Sequence, residues 1–415
     1  MSNPQPPVEK QSFVKRIYTI WSGLPPVVWR VLASAFFAGM GLRLNWLFLN
    51  FHLEELNFSR ELIGYANALP AVSMVVLGVP ASIYAPRFGY VVSLRTAGAI
   101  SAASLLLVGW APSVLVVFVG LFCFGLGNSL IMATTPPLLQ RLTPQASRVL
   151  AFSYYGALGT GAGFIGNLGG GYLPQWLGGV DGVIYLMAVL FALTILPLVG
   201  IAAQHGQVDK QFKLRNGHIW AKLIAPNMII GFGAGAVMPF LNLYLADKFG
   251  LSFEWIGFIF SISALATTIT IMVQPALVRL WGKVGAVAAS QSAALPFILI
   301  IAYVPFLPLV TVAMFVREAL MNAVNPIYTS LAMDLLAEEE AAAYMIAMSV
   351  GWRVAWAISS SVSGNLQDAL GVSAFNYLFG AMFLLYCTGI GLFLLFFWRQ
   401  RKNLDAMSQT AELVA

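Results

Sequence analysis

Four ionisable side chains, Arg43, Arg317, Glu318 and Arg353, sit inside long apolar runs of this sequence. A charge at the centre of a bilayer costs roughly 2.5–3.5 kcal/mol on insertion scales, so such residues face a protein interior or a wet cavity. Helical spacing gives each of them polar or aromatic company. At about 100° per residue, Gly39, Arg43, Trp46 and Asn50 share one helix stripe. Glu318, Asn322, Asn325 and Thr329 share a second, and Ser349, Arg353, Trp356, Ser360 and Gln367 a third. A weaker line runs through Ser153, Thr160 and Asn167. A helix surrounded by hydrocarbon gains nothing from such stripes. They are expected to border a shared central pathway, with Arg43, Trp46, Asn50, Asn322, Asn325, Arg353 and Trp356 binding a small-molecule substrate.

Glu318 is the one carboxylate placed deep within an apolar run. Burial and a neighbouring arginine act on its protonation in opposite directions. An acid near Arg43 or Arg353 would therefore change charge when a substrate competes for its partner, which suits proton coupling. The plainer reading is a static bridge between helices. Arg317 points about 100° away from Glu318, aligns with Met321 and Tyr328, and is expected to find a partner on another helix. Three arginines against one glutamate suggest an anionic substrate, and Trp46, Trp352 and Trp356 would give it aromatic walls.

These residues need elements that hold them at membrane depth. The chain has 415 residues, 59% hydrophobic and 9% charged, against about 25% charged in soluble proteins. Only helices and closed barrels satisfy their backbone in lipid. Barrel strands alternate over roughly 10 residues, whereas these apolar runs extend for about 20, the length of a crossing helix. The fold class expected is all-α integral membrane, with twelve transmembrane helices in two six-helix bundles, 27–203 and 222–398. The segments 1–26, 204–221 and 399–415 read as a terminal segment, a linker and a tail on the cytoplasmic side.

Lysine and arginine favour cytoplasmic loops. They cluster at Lys10, Lys15 and Arg16, at Lys210, Lys213 and Arg215, and at Arg399, Arg401 and Lys402, while only Arg60 and Lys248 fall opposite. Both termini are thus expected in the cytoplasm, in a plasma membrane of the bacterial inner type. The net charge of +6 then reflects topology and calls for no nucleic acid. No short apolar core with a cleavage site precedes the first span, so no removed signal peptide is expected. Cys123 and Cys387 lack metal-ligand spacing, and no cofactor or metal is expected. His52, close to Glu54 and Glu55, reads as an interfacial histidine in a polar rim, with pH sensing as the alternative. Glu338, Glu339 and Glu340 are expected to open a helix, where negative charge suits the N-terminal dipole.

The sequence repeats itself. A displacement of 193 residues brings Ser59, Glu61, Ile63 and Gly64 onto Ser252, Glu254, Ile256 and Gly257, and Gly89, Gly171 and Gly178 onto Gly282, Gly364 and Gly371. Parallel six-span repeats joined by a central loop form a known transporter architecture.

On these features the chain resembles the major facilitator superfamily. The signature of that family, similar to Gly-x-Leu-Ala-Asp-Arg-x-Gly-Arg-Arg, corresponds to Ser82-Ile-Tyr-Ala-Pro-Arg-Phe-Gly-Tyr-Val91. Arg87 and Gly89 match, and Pro86 stands in place of the acid. The second-half counterpart is Pro275-Ala-Leu-Val-Arg-Leu-Trp-Gly-Lys283. The resemblance implies a conformational latch through Arg87, Gly89, Arg279 and Lys283; a tight basic turn explains the same residues. Gly166-Asn-Leu-Gly-Gly-Gly171 looks like the antiporter motif of the family with Asn167 for its proline, and Gly156, Gly159, Gly163 and Gly166 would also serve close helix packing. Leu121 stands where many exporters of the family carry an arginine.

The function expected is secondary active transport by alternating access, coupled to a proton gradient, with efflux as the direction and a monomer as the working unit. Solute uptake by the same fold is the alternative. The chain shows no Gly-x-x-x-x-Gly-Lys-Ser/Thr nucleotide loop. An intramembrane enzyme would need an acid–base pair or activated nucleophile at depth, and a channel a symmetric ring of carbonyls or charges.

Overall fold

A computed structural model describes residues 24–110, 113–206, 217–336 and 338–401. Most of the expected N-terminal segment, the linker residues Lys210, Lys213 and Arg215, and the tail from Lys402 lie outside the described residues. Every regular element described is helical. The first half contains α1 (Pro26–Glu55), α2 (Arg60–Phe88), α3 (Tyr90–Trp110), α4 (Val114–Leu142), α5 (Arg148–Gly170), a short α6 (Leu173–Leu177) and α7 (Val180–Leu193). The second contains α8 (Gly217–Val237), α9 (Leu241–Phe249), α10 (Phe253–Tyr303), α11 (Leu307–Leu335), α12 (Glu338–Leu370) and α13 (Ala374–Phe397).

Ten segments among the described residues are long and apolar enough to cross a membrane, two fewer than the sequence reading. One of the ten, Tyr344–Gln400, spans both α12 and α13. The glycine-rich α5 is not among them.

Of the twelve spans expected from the apolar runs, two, over 222–246 and 181–203, have altered outlines. The run 222–246 is divided between α8 and α9 by the turn Met238–Phe240. Pro239 lacks an N–H and so interrupts the helical ladder there. The run 181–203 is helical only to Leu193, followed by a turn at Leu196–Leu198. Arginines hold that end: Arg30 Nε donates to the Pro197 carbonyl at 2.6 Å and Arg95 donates to the carbonyls of Leu198 and Ile201. The expected spans 254–278 and 284–304 are two helices, together labelled α10, that meet at a kink where Gly282 has the non-helical φ of 68° and ψ of 172°.

The internal repeat is visible in the backbone. Left-handed φ values occur at Asn57 (61°) and Gly250 (62°), at Gly89 (97°) and Gly282 (68°), and at Gly178 (79°) and Gly371 (59°). Each pair is separated by the same 193 residues. Glycine adopts this region freely and asparagine tolerates it, so the two halves turn their chains at equivalent points.

The halves meet where α2 crosses α12 and α5 crosses α10. At the end of the bundle carrying Glu55, polar contacts tie them together. Arg60 pairs with Glu54 at 2.5 Å and with Asp247 of α9 at 2.9 Å, and its N–H donates to Asp368 of α12 at 3.2 Å. Gln175 donates to Glu254, and Ser261 of α10 donates to the Phe164 carbonyl of α5 at 2.9 Å.

Candidate functional site

Beneath that tied end lies a cavity of about 640 Å³ between the halves. Helix α1 supplies Arg43 and Trp46, α11 supplies Arg317, Glu318, Asn322 and Asn325, and α12 supplies Trp352, Arg353 and Trp356. The periodicity of the sequence therefore identified walls that do converge. The indoles of Trp46 and Trp356 meet edge to face across the halves, with centroids 5.7 Å apart, and Trp352 adjoins Trp356 at 6.4 Å. Trp46 is 49% exposed and lines this space.

Small residues make room for the site. A Cβ on Gly163 of α5 would stand 3.2 Å from Arg43 Nε, and one on Gly166 would stand 3.3 Å from Arg43 Cβ. Two of the four glycines expected to pack helices thus cradle an arginine. Gly156 and Gly159 face open space instead. On α8, Gly231 lies under the Trp352 ring and Gly235 against the Trp356 backbone.

Arg317 finds the expected partner on another helix, but its pairing with Glu318 departs from expectation. Both line the cavity, and Arg317 Nη1 donates to Glu318 Oε2 at 3.1 Å. Adjacent Cβ atoms diverge on a helix, but the long flexible arginine side chain bends back toward the glutamate. Arg317 also donates to the Tyr386 hydroxyl of α13 at 2.6 Å and contacts Met238 Sδ at 3.1 Å. Glu318 Oε1 accepts from Asn322 Nδ2 at 2.7 Å. Its direct partner is therefore Arg317, while Arg43 feels its charge at longer range.

Asn50 does not line the cavity. Its amide donates to the Pro239 carbonyl at 2.5 Å and to Asn242 Oδ1 at 3.0 Å, and its oxygen accepts from Asn67 at 2.8 Å. Asn242 in turn donates to the Leu47 carbonyl at 2.9 Å. Asn50 lies on the Arg43 stripe but further along the helix, where it closes a buried joint between the halves. His52 is likewise fully buried rather than part of a rim, with Nδ1 2.8 Å from Asp181 Oδ1.

Of the expected latch residues, Gly89 and Arg87 face Ala203 and the start of the linker, and Lys283 pairs within its own half. Gly89 would place a Cβ 2.9 Å from the Ala203 Cβ, and the Arg87 carbonyl lies 3.2 Å from His205 Nδ1. Pro86, standing where the family acid belongs, accepts from the Gly206 N–H at 3.0 Å. Lys283 pairs with Asp334 at 2.5 Å, and Arg279 is exposed.

Several cavity residues escaped the sequence reading: Asn227, Gln291 and Tyr386. Gln291 is buried, and its Oε1 finds no hydrogen-bond partner among the described residues. The signal was present, since an amide within an apolar run is also costly in lipid, but attention to charge alone passes over it.

The arrangement can hold a solute. Arg317 has a carboxylate, whereas Arg43 and Arg353 have none within ion-pair distance among the described residues. Arg353 instead reaches Met132 Sδ of α4 at 3.3 Å.

No curated protein matches the chain in sequence. Solved structures match its fold. The nucleoside transporter NupG superposes with a TM-score of 0.72 at 16% identity, over 88% of this chain and 99% of that one. A bacterial homologue of the human lysosomal transporter Spinster, inward-facing and occupied, gives 0.72 at 13%, over 92% and 97%. The peptide transporter POT in complex with sulfate gives 0.68 at 13%, over 94% and 99%. The sequence pattern of the Major Facilitator Superfamily matches residues 31–360 and 227–412. The chain is a membrane transporter, not an enzyme, and it belongs to the major facilitator superfamily.

Proposed function

We propose that this transporter carries a small organic anion with an apolar body by alternating access, coupled to proton movement through Glu318. One observation carries the reading: Arg43 and Arg353 enter the cavity without a carboxylate partner among the described residues, beside three tryptophans. Unpaired guanidinium groups in a confined space favour a carboxylate, sulfonate or phosphate on the solute. The tryptophans suit a flat or aliphatic remainder.

Glu318 supports coupling because it is the acid in this wall and is shared between Arg317 and Asn322. A solute anion that draws Arg317 away would leave the carboxylate to take a proton. The glycine-rich stretch of α5 supports export from the cytoplasm as the direction. The distribution of lysine and arginine supports cytoplasmic termini and a plasma-membrane location of the bacterial inner type, and the fold is read as acting in a monomer.

The test is a thermal-stability screen of purified protein against organic anions, lipophilic cations, sugars and amino acids. An anion that raises the melting temperature is then assayed in proteoliposomes under an imposed pH gradient. Stabilisation by cations or neutral sugars but no anion would overturn the substrate class. Trans-stimulated exchange is expected, and its absence alongside solute leak would mark a pore.

A further inference from the structure

We propose a divalent metal site in the first half, formed by His52, Glu55 and Asp181 and fitted to a borderline transition cation such as Zn2+. One imidazole nitrogen and two carboxylates converge there, at the Glu55 end of the bundle and outside the cavity. Their ligand atoms all lie within 4.8 Å of one another.

His52 makes the demand for a cation. It is fully buried, and Nε2 lies 3.2 Å from the Val108 carbonyl oxygen. A carbonyl only accepts, so Nε2 must carry the hydrogen. In neutral imidazole this leaves Nδ1 as a bare lone pair. Nδ1 stands 2.8 Å from Asp181 Oδ1, and no protein group among the described residues donates to it. Two facing lone pairs at that separation require positive charge.

A proton on Nδ1 would answer one carboxylate and leave the second uncompensated. Among the described residues, the charged groups acting on Glu55 are Asp181 and His52, with no lysine or arginine. A divalent ion balances both carboxylates and keeps the imidazole neutral, the form in which histidine ligates metal. The hydrogen bond to Val108 has the outer-sphere form usual for a ligating histidine, whose other ring nitrogen is held by a carbonyl or carboxylate. Three such ligands leave a fourth position for water, and a tetrahedral N/O set suits zinc. Glu55 and Asp181 are exposed, so the ion enters from the adjacent water. Bound there, it ties the end of α1 to the start of α7.

The full-length protein, stripped with chelator in detergent, is titrated with ZnCl2 and CoCl2 while thermal unfolding and visible absorption are recorded. Zn2+ should raise the melting temperature and Co2+ should develop ligand-field bands, whereas Mg2+ does neither. Asp181→Asn and Glu55→Gln alter exposed side chains and should weaken binding by about 10–100-fold, a loss seen even for outer-sphere partners. No zinc-dependent shift, an equal shift in both variants, or the same response to Mg2+ would overturn the site. Nitrogen-15 spectra showing a His52 imidazolium in metal-free and zinc-treated protein alike would give the position to a proton. None of these readouts depends on the transported solute.

Discussion

Gly64 of α2 and Gly364 of α12 meet backbone to backbone. A Cβ on Gly64 would stand 2.9 Å from the Gly364 Cα, and one on Gly364 would stand 2.8 Å from the Gly64 Cα. The displacement of 193 residues that relates the halves converts Gly64 to Gly257 and Gly171 to Gly364. Those counterparts also meet, with a Cβ on Gly257 reaching 3.2 Å from the Gly171 Cα. A duplicated element thus closes the same end of the molecule twice, once at each crossing. Without side chains in the way, helix backbones approach closely in lipid.

This geometry predicts that Gly64→Val forces the α2–α12 crossing apart. Transport should fall at least tenfold while the protein remains in the membrane. Thiol labelling at Asn67→Cys, with Cys123 and Cys387 replaced by alanine, should accelerate from the Glu55 side. Unchanged labelling would show that the crossing does not seal that end.

The two closing crossings were partly legible in the sequence, because the repeat exposed the glycines, but pairing them needed the fold. The cavity was legible for a different reason. Charges are expensive in lipid, so Arg43, Glu318 and Arg353 had to face inward, and periodicity supplied their neighbours. Periodicity fixes direction around a helix but not depth along it, which is why Asn50 was grouped with Arg43. It also follows Cβ atoms rather than the tips of long side chains, which hid the Arg317–Glu318 pair. His52 could not be matched with Asp181, since nothing local links α1 to the start of α7.

If Arg43 and Arg353 bind the anionic group, replacing either with alanine removes a charge-assisted contact worth about 1.5–3 kcal/mol. Affinity for the stabilising anion should fall about 10–100-fold for each variant, measured by ligand titration of thermal unfolding. Lysine at either position should restore part of it, because charge survives while the bidentate fork is lost. Unaltered affinity in both alanine variants would remove the arginines from the substrate site.

Glu318→Gln keeps the hydrogen-bonding shape toward Asn322 and removes the charge opposite Arg317. Accumulation driven by a pH gradient should disappear, whereas solute exchange at equal concentrations should persist. Parallel proteoliposome assays separate the two. Full gradient-driven accumulation by the variant would exclude Glu318 from coupling.

Asn50→Ala should act on stability and not on solute binding. The wild-type side chain satisfies the Pro239 carbonyl at the break between α8 and α9, shares a hydrogen bond with Asn242 and receives one from Asn67. Removing it leaves those buried groups short of partners, at a cost of about 1–3 kcal/mol. Water cannot readily replace it in a joint where Asn50 and Asn242 are only 2% and 1% exposed. The melting temperature should therefore drop, and Asn242→Ala should produce a similar drop. Because the two residues share one bond, the double variant should cost less than the sum of the single ones. Ligand affinity, measured below the lowered melting temperature, should stay within about twofold of wild type, a change of under 0.5 kcal/mol. A large affinity loss with unchanged stability would place Asn50 in the solute pathway after all.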